Sequence, residues 1–262
     1  AIEGCRDSVE SMVGVIKDYD ITSLQEMIGK LSFHDFYTYD HSINVSMYNI
    51  AIYKSLKPQA SQNELVAAGL GGLLHDLGKI KIPTSIINNP DKLSEEQFTL
   101  IKSHPEFGRE LLQECDCHSE GVDFSVIERV VYEHHENYNG TGYPRKIGGE
   151  EIHLLARITA ISDFFDALTT KRSYHEVMST EQALNIMRHT VGKKIDPKLF
   201  AAFEMQIRKM EEDDVEDNKA LPESFDPCQP HRELPLELIA ESGPRKVVKK
   251  VVKKKVVKRK AA

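Results

Sequence analysis

The sequence predicts an all-α domain, and three observations carry that expectation. Apolar residues recur at helical spacing along most of residues 6–210, residues that start helices stand in front of the apolar runs, and no segment alternates apolar and polar side chains as a half-buried strand would. Residues 6–31 read as one or two amphipathic helices. From His41, the positions Val45, Tyr48 and Ile52 keep the period until Lys57-Pro58 stops it. Leu65, Leu70, Leu73, Leu74 and Leu77 mark the next helix, which carries the adjacent pair His75-Asp76. Ser94-Glu95-Glu96-Gln97 has the form of a capping box opening a short helix toward His104. Pro105 suits the first turn of another, through Leu111 and Leu112, because it has no N–H to leave unsatisfied. Phe124 to His135 is helical with Val126, Ile127, Val130 and Val131 inside, and a Gly-rich loop, 137–149, follows. A long helix from about Ile152 to Thr170 carries Leu155, Ile158, Ile161, Phe165 and Leu168. Two more follow, one after Thr180 and one after Asp196-Pro197, where an Asp cap and a first-turn Pro agree. The resulting architecture is a helical bundle with an irregular, tethered C-terminal tail.

The 262 residues are enough for one full core plus tails, and 40% hydrophobic with 29% charged residues is ordinary for a soluble protein. The longest nearly uncharged stretch, around residue 70, is about half of what a membrane span needs. There is no secretory leader, so a cytoplasmic protein is expected. The chain begins at Ala1, which suits a fragment whose upstream part is missing. The four cysteines, Cys5, Cys115, Cys117 and Cys228, do not make a zinc pattern and read as reduced thiols. The net charge of −7 conceals an asymmetry, since residues 245–260 hold ten Lys/Arg and no acid. The rest, residues 1–244, holds 24 basic against 41 acidic residues, a balance of −17 that would repel nucleic acid as a polyanion. Residues 1–36 are taken as an N-terminal helical segment and 37–210 as the main folded domain. An acidic, Pro-punctuated tether is expected over 211–244 and a basic Lys/Val tail over 245–262. The tail would be a solvated end, with contact to an anionic surface as its functional alternative.

The chemistry starts at His75-Asp76, which closes the apolar run Leu65 to Leu74. A carboxylate is costly to bury unless something positive holds it, and an adjacent imidazole adds a second donor atom. His34-Asp35 is the same dipeptide without that context. What distinguishes His75-Asp76 is the company of His41, His104, the doublet His134-His135, and Asp163 within an apolar helix. Any one histidine alone is more often an ordinary core or surface residue, and Asp166 rivals Asp163 on a neighbouring face. Together, imidazole and carboxylate donors without thiolate suit Fe, Mn or Zn. They are too many for one tetrahedral structural zinc and fit two ions sharing a bridging carboxylate. Such a pair can hold a bridging hydroxide at neutral pH and needs no Ser or Cys nucleophile.

Two longer motifs add a resemblance. His75-Asp76-Leu77-Gly78-Lys79, followed by His134-His135-Glu136-Asn137-Tyr138-Asn139-Gly140-Thr141-Gly142-Tyr143-Pro144, is similar to the HD-GYP family of the HD hydrolase superfamily. The likeness runs from about residue 37 to about residue 205 and includes Lys102-Ser103-His104-Pro105, Ile161-Ser162-Asp163 and Asp166-Ala167-Leu168-Thr169. It implies an all-α phosphodiesterase that opens the bacterial second messenger cyclic di-GMP with two divalent ions, Fe or Mn. It also implies roles. His41, His75, Asp76 and Asp163 would hold the first ion, Asp76 would bridge, and His104, His134 and His135 would complete the second. Lys79 would contact the scissile phosphate or the bridging water. Gly142, Tyr143 and Pro144 would shape the substrate entrance, and Arg172 would grip a phosphate.

The chain departs from the family's pattern at two places. Tyr37 stands where members with a third metal carry Glu four residues before the first ligand histidine, which implies two ions and linear pGpG as the product. Arg172-Ser173-Tyr174-His175 replaces the usual Arg-Pro-Tyr and basic residue, which implies a weaker or pH-dependent phosphate grip. The remaining expectations are an upstream sensor or receiver domain and protein partners at the Gly-Tyr-Pro loop. The alternative to an enzyme is a low-activity cyclic-dinucleotide binding and signalling module.

Overall fold

The computed structural model describes residues 36–89, 93–115, 121–170 and 178–217, with backbone alone at 36–39 and 211–217. Nine α-helices occur among the described residues: α1 Phe36–Leu56, α2 Gln62–Leu74, α3 Thr84–Ile87, α4 Glu95–Ile101, α5 His104–Glu114, α6 Phe124–Glu133, α7 Leu154–Thr169, α8 Thr180–Arg188 and α9 Pro197–Asp217. Two 3₁₀ helices, Leu77–Lys81 and Gly149–Glu151, join them, and there is no β-strand among the described residues. The all-α expectation holds.

Local chemistry sets the boundaries. At α2, α4 and α8 a serine (Ser61, Ser94, Ser179) accepts from the backbone N–H three residues on, while Glu64, Gln97 or Gln182 accepts from the serine's own N–H. Asp123 caps α6 through Ser125 N–H. Asp196 accepts from the N–H groups of Lys198 and Leu199 at the start of α9, as the Asp-Pro pair predicts. Contrary to the expectation that α2 carries the His-Asp pair, the helix ends at Leu74 with His75 as its C-cap. Asp76, at φ −96° and ψ 9°, turns the chain into the 3₁₀ helix. α9 runs to Asp217, so residues 211–217 continue a helix where a tether is expected to begin.

The core is built on α1, α2, α6, α7 and α9. Ile52, Leu70, Leu74, Ile127, Val130, Ile158 and Phe203 are fully buried within it. Tyr48, Phe165 and Phe203 pack edge to face, with centroids 5.2–6.4 Å apart. Asn49 ties three helices together, donating from α1 to Ala68 O on α2 and to Thr159 Oγ1 on α7. Gly78 brings the 3₁₀ helix against α5, where a Cβ would lie 1.9 Å from His104 O. Only glycine permits that approach, which sets Asp76 beside His104. Cys115 is disulfide-bonded, against the expectation of reduced thiols; spacing along a chain says nothing of which sulfurs meet in space. Cys5, Cys117, Cys228, Arg172 to His175, residues 1–35 and residues 218–262 lie outside the described residues, as does the side chain of Tyr37.

Candidate metal centre

Five elements meet at one place. α1 supplies His41, the end of α2 supplies His75 and Asp76, α5 begins at His104, α6 ends into His134-His135, and the middle of α7 supplies Asp163. All seven residues expected as ligands converge. Their donor atoms fall into two groups, His41, His75 and Asp163 in one and Asp76, His104, His134 and His135 in the other, each with its atoms within 4.8 Å of one another. Asp76 faces both groups. Its Oδ1 is 3.3 Å from His104 Nε2, while its Oδ2 is 3.3 Å from His75 Nε2 and 3.9 Å from His41 Nε2.

The backbone orients the imidazoles. The Nδ1 atoms of His75, His104 and His134 lie 2.7–2.8 Å from the carbonyls of Gly72, Ile101 and Val131, each three residues upstream. A carbonyl only accepts, so Nδ1 carries a proton and each ring turns its Nε2 inward. His104 Nε2 and His134 Nε2 then face each other at 3.1 Å. His75 Nε2 is buried without a hydrogen bond, although Asp76 Oδ2 is near. Acceptors facing acceptors in a buried site are satisfied by a cation, and imidazole with carboxylate is a donor set that suits divalent first-row metals. The cluster can hold metal.

His41 is oriented differently. Its Nδ1 lies 2.7 Å from Asp166 Oδ2, and its Nε2 lies 3.1 Å from Asp163 Oδ1. The two rival carboxylates of α7 therefore take opposite edges of one ring. Asp166 is fully buried and also accepts from Asn44 Nδ2 and Thr170 Oγ1, so it is held rigidly behind the site.

Protonation follows the same geometry. Burial lowers the His104 pKa to about 3 against the pull of Asp76, and lowers that of His135 to about 4. Burial and neighbouring histidines push His134 well down too. These three are neutral and ready to donate at pH 7. Burial alone would also lower His41, but hydrogen bonds to Asp163 and Asp166 overcome it and raise the pKa to about 9. Burial favours the protonated form of both aspartates, yet Lys79, His75 and His104 hold Asp76 ionised, and His41 does so for Asp163. Lys79 Nζ is 2.6 Å from Asp76 Oδ2.

The loop after α6 forms one wall of the site. Gly142 passes so close to the chain that a Cβ would lie 2.2 Å from Asn137 N. Tyr143 N–H donates to His135 O, and the Tyr143 ring stacks on His135 with centroids 4.8 Å apart. Pro144 follows through a cis peptide bond. Glu136, buried, accepts from the N–H groups of Arg145 and Lys146 and so pins the far side of the loop. A cleft of about 330 Å³ opens here, lined by His134, His135, Tyr143, Asp163, Phe164 and Lys194 among others. Phe164 and Lys194 are absent from the expected site. Phe164 reads as core in an apolar helix, and Lys194 lies 31 residues beyond Asp163 in a turn that no motif marks.

Comparison with known proteins agrees with this geometry. Residues 30–199 match the HD domain family. A cyclic di-GMP phosphodiesterase of Pseudomonas aeruginosa is 39% identical over 175 residues, which cover 66% of this chain and 40% of that protein. A 3'3'-cGAMP-specific phosphodiesterase of Vibrio cholerae is 33% identical over 171 residues, covering 65% of this chain and 35% of that protein. The chain thus spans well under half the length of these relatives. An HDG"Y"P protein from Bdellovibrio bacteriovorus superposes with a TM-score of 0.52 at 25% identity, covering 65% of this chain and 52% of that one. The HD domain of a phosphodiesterase from L. monocytogenes shares the fold at a TM-score of 0.53 and 19% identity, covering 76% of this chain and 100% of that one. No helix among the described residues is long and apolar enough to cross a membrane. With the His-Asp pair, the histidine doublet and the Gly-Tyr-Pro loop gathered at one site, the chain belongs to the HD domain family, in its HD-GYP group.

Proposed function

We propose that the chain is a metal-dependent phosphodiesterase that opens cyclic di-GMP to linear pGpG at a centre of two divalent ions, iron or manganese. The observation that carries this reading is the placement of Asp76, one carboxylate with an oxygen toward each of two donor groups. His41, His75 and Asp163 would hold one ion with Asp76, and His104, His134 and His135 the other. When bound, such ions supply Lewis-acid charge and lower the pKa of water, so that hydroxide is available to attack phosphorus near neutral pH.

The remaining work falls to the chain's own groups. The Lys79 ammonium, a quarter exposed beside Asp76, is placed to take a phosphoryl oxygen as negative charge gathers there. The Tyr143 phenol is raised above its ordinary pKa by burial and by Asp76 and Asp163, so it stays protonated and can only donate to an anionic substrate at pH 7. Stacking on His135 keeps its ring at the mouth of the cleft while Gly142 and Pro144 shape the turn. Arg172 would contribute a second, planar grip on phosphate. The cyclic dinucleotides in the names of the relatives support the substrate class, and the all-N/O donor set supports iron or manganese.

The test is metal analysis of anaerobically purified protein, followed by chromatography of its products from cyclic di-GMP with Fe(II) and with Mn(II). Linear pGpG is expected. Tight binding without any linear product under either ion would replace the enzyme by a binding module.

A further inference from the structure

Lys194 is the one lysine or arginine among the described residues lining the catalytic cleft. It has no carboxylate partner among the described residues. Its ammonium sits 5.8 Å from the centroid of Phe164, the residue that follows Asp163 on α7. Its backbone, by contrast, is held on every side. Lys194 N–H donates to Thr190 O at 2.9 Å, and its carbonyl accepts from Tyr138 N–H at 3.0 Å. Asn139 N–H donates to the Lys193 carbonyl at 2.9 Å, so this turn is hydrogen-bonded to the start of the loop that leads into Gly142. Next in sequence, Ile195 is buried and Asp196 pairs with Arg157 at 2.6 Å, fixing the turn to α7. A hydrogen-bonded turn therefore presents one flexible cation, resting on an aromatic face, at the cleft, from a different element than Lys79.

A phosphodiester engaged by the metal donors would use the charge of the donor groups and Lys79. A cyclic dinucleotide has two phosphates in one ring, so a substrate held at the donors by one phosphate would bring a second close by. Among the other residues lining the cleft, Asp163 and Glu136 are acidic, so a second anion has to be met by a cation or left poorly compensated.

We propose that Lys194, supported on Phe164, binds the phosphate of the cyclic dinucleotide that is not being cut, and so distinguishes two-phosphate substrates from simple diesters. The proposal rests on the cyclic-dinucleotide reading above. Lys194 is a specificity residue in this role and takes no part in bond cleavage.

The test compares Lys194→Gln and Lys194→Arg with the unsubstituted chain, Mn(II)-loaded, on cyclic di-GMP and on bis(p-nitrophenyl) phosphate, which has a single phosphorus. Lys194→Gln is expected to raise KM for cyclic di-GMP about tenfold, the size of one lost charge-assisted hydrogen bond. The kcat should stay within about twofold, the salt dependence of KM should flatten, and Lys194→Arg should recover most of the loss. Kinetics on bis(p-nitrophenyl) phosphate should not change. Equilibrium dialysis of cyclic di-GMP against chelated protein should show the same weakening without turnover. An unchanged KM for cyclic di-GMP, or equal losses on both substrates, overturns the proposal. If the unsubstituted chain cleaves the simple diester but neither binds nor cleaves cyclic di-GMP, the substrate reading itself fails, and this proposal with it.

Discussion

Asp76 and Glu133 are both buried carboxylates, 2% and 1% exposed. They are satisfied in opposite ways. Glu133 accepts from Arg129 through both oxygens, from Arg145, and from the His153 N–H. Every one of its partners is a donor, so the group is complete as it stands. Asp76 meets a single ammonium, Lys79, and otherwise faces the Nε2 edges of His75 and His104, while His41 Nε2, turned to Asp163, lies farther off at 3.9 Å. An acid met by donors is part of the scaffold, whereas an acid met by acceptors is one side of a cation site. Burial alone does not separate the two cases. The identity of the neighbouring atoms does.

The largest way to break the contrast is Asp76→Asn, which removes the carboxylate proposed to bridge the two donor groups. It is expected to lower kcat by about 10³-fold or more, some 4 kcal/mol of transition-state stabilisation, with metal content falling below that of the unsubstituted protein. Full activity at full metal content would contradict the bridging role. Glu133→Gln should do the reverse. It takes charge from a salt-bridged cluster whose arginines are about half exposed and can turn to water, so a loss of about 2–3 kcal/mol in urea unfolding is expected. Bound metal per chain, read by elemental analysis, should be unchanged. A Glu133 variant that is fully stable but metal-free would invert the assignment.

Asp166→Asn probes the layer behind the ligands. The carboxylate that polarises His41 becomes an amide, and metal affinity in competition with a chelator should drop by about 10–100-fold while the helices stay intact by circular dichroism. The smallest expected effect is the pH profile of chelated protein. His104 and His135, lowered to about 3 and 4, refuse protons that their unfolded forms accept. They therefore contribute stability that is present above about pH 6.5 and is lost as pH falls toward those values. His41, raised to about 9, contributes stability that is present below about pH 6.5 and is lost as pH rises through 9. Thermal melting of the chelated protein should accordingly peak near about pH 6.5. A melting temperature that climbs steadily from pH 6.5 to 9 would show that His41 is not held by Asp163 and Asp166 as described.

Much of this was legible before any coordinates. Ser94 to Gln97 forms the expected capping box, Asp196-Pro197 opens α9 as its chemistry requires, and the apolar period of α7 appears as a buried face. The seven metal-donor candidates were legible as a set, through their order and the two motifs around them. Glu133 was not, because Arg129 four residues earlier makes it look like an exposed helix pair, and only packing against the loop at Arg145 and His153 buries it. Nor was the division of labour between Asp163 and Asp166. Three residues apart, on neighbouring faces of one helix, they are rivals by residue chemistry alone; the resemblance names Asp163, and the position of His41 between them shows how each carboxylate is used.

By itself, then, the amino-acid order determined the helices and the inventory of donors, since periodicity, caps and residue chemistry act within a few residues. Only the tertiary structure decided that the donor atoms lie within reach of one another, that Glu133 is scaffold, and that Lys194 reaches the cleft. Those outcomes depend on the angles and distances between helices far apart in the chain, which the packing of the whole core sets and no local pattern encodes.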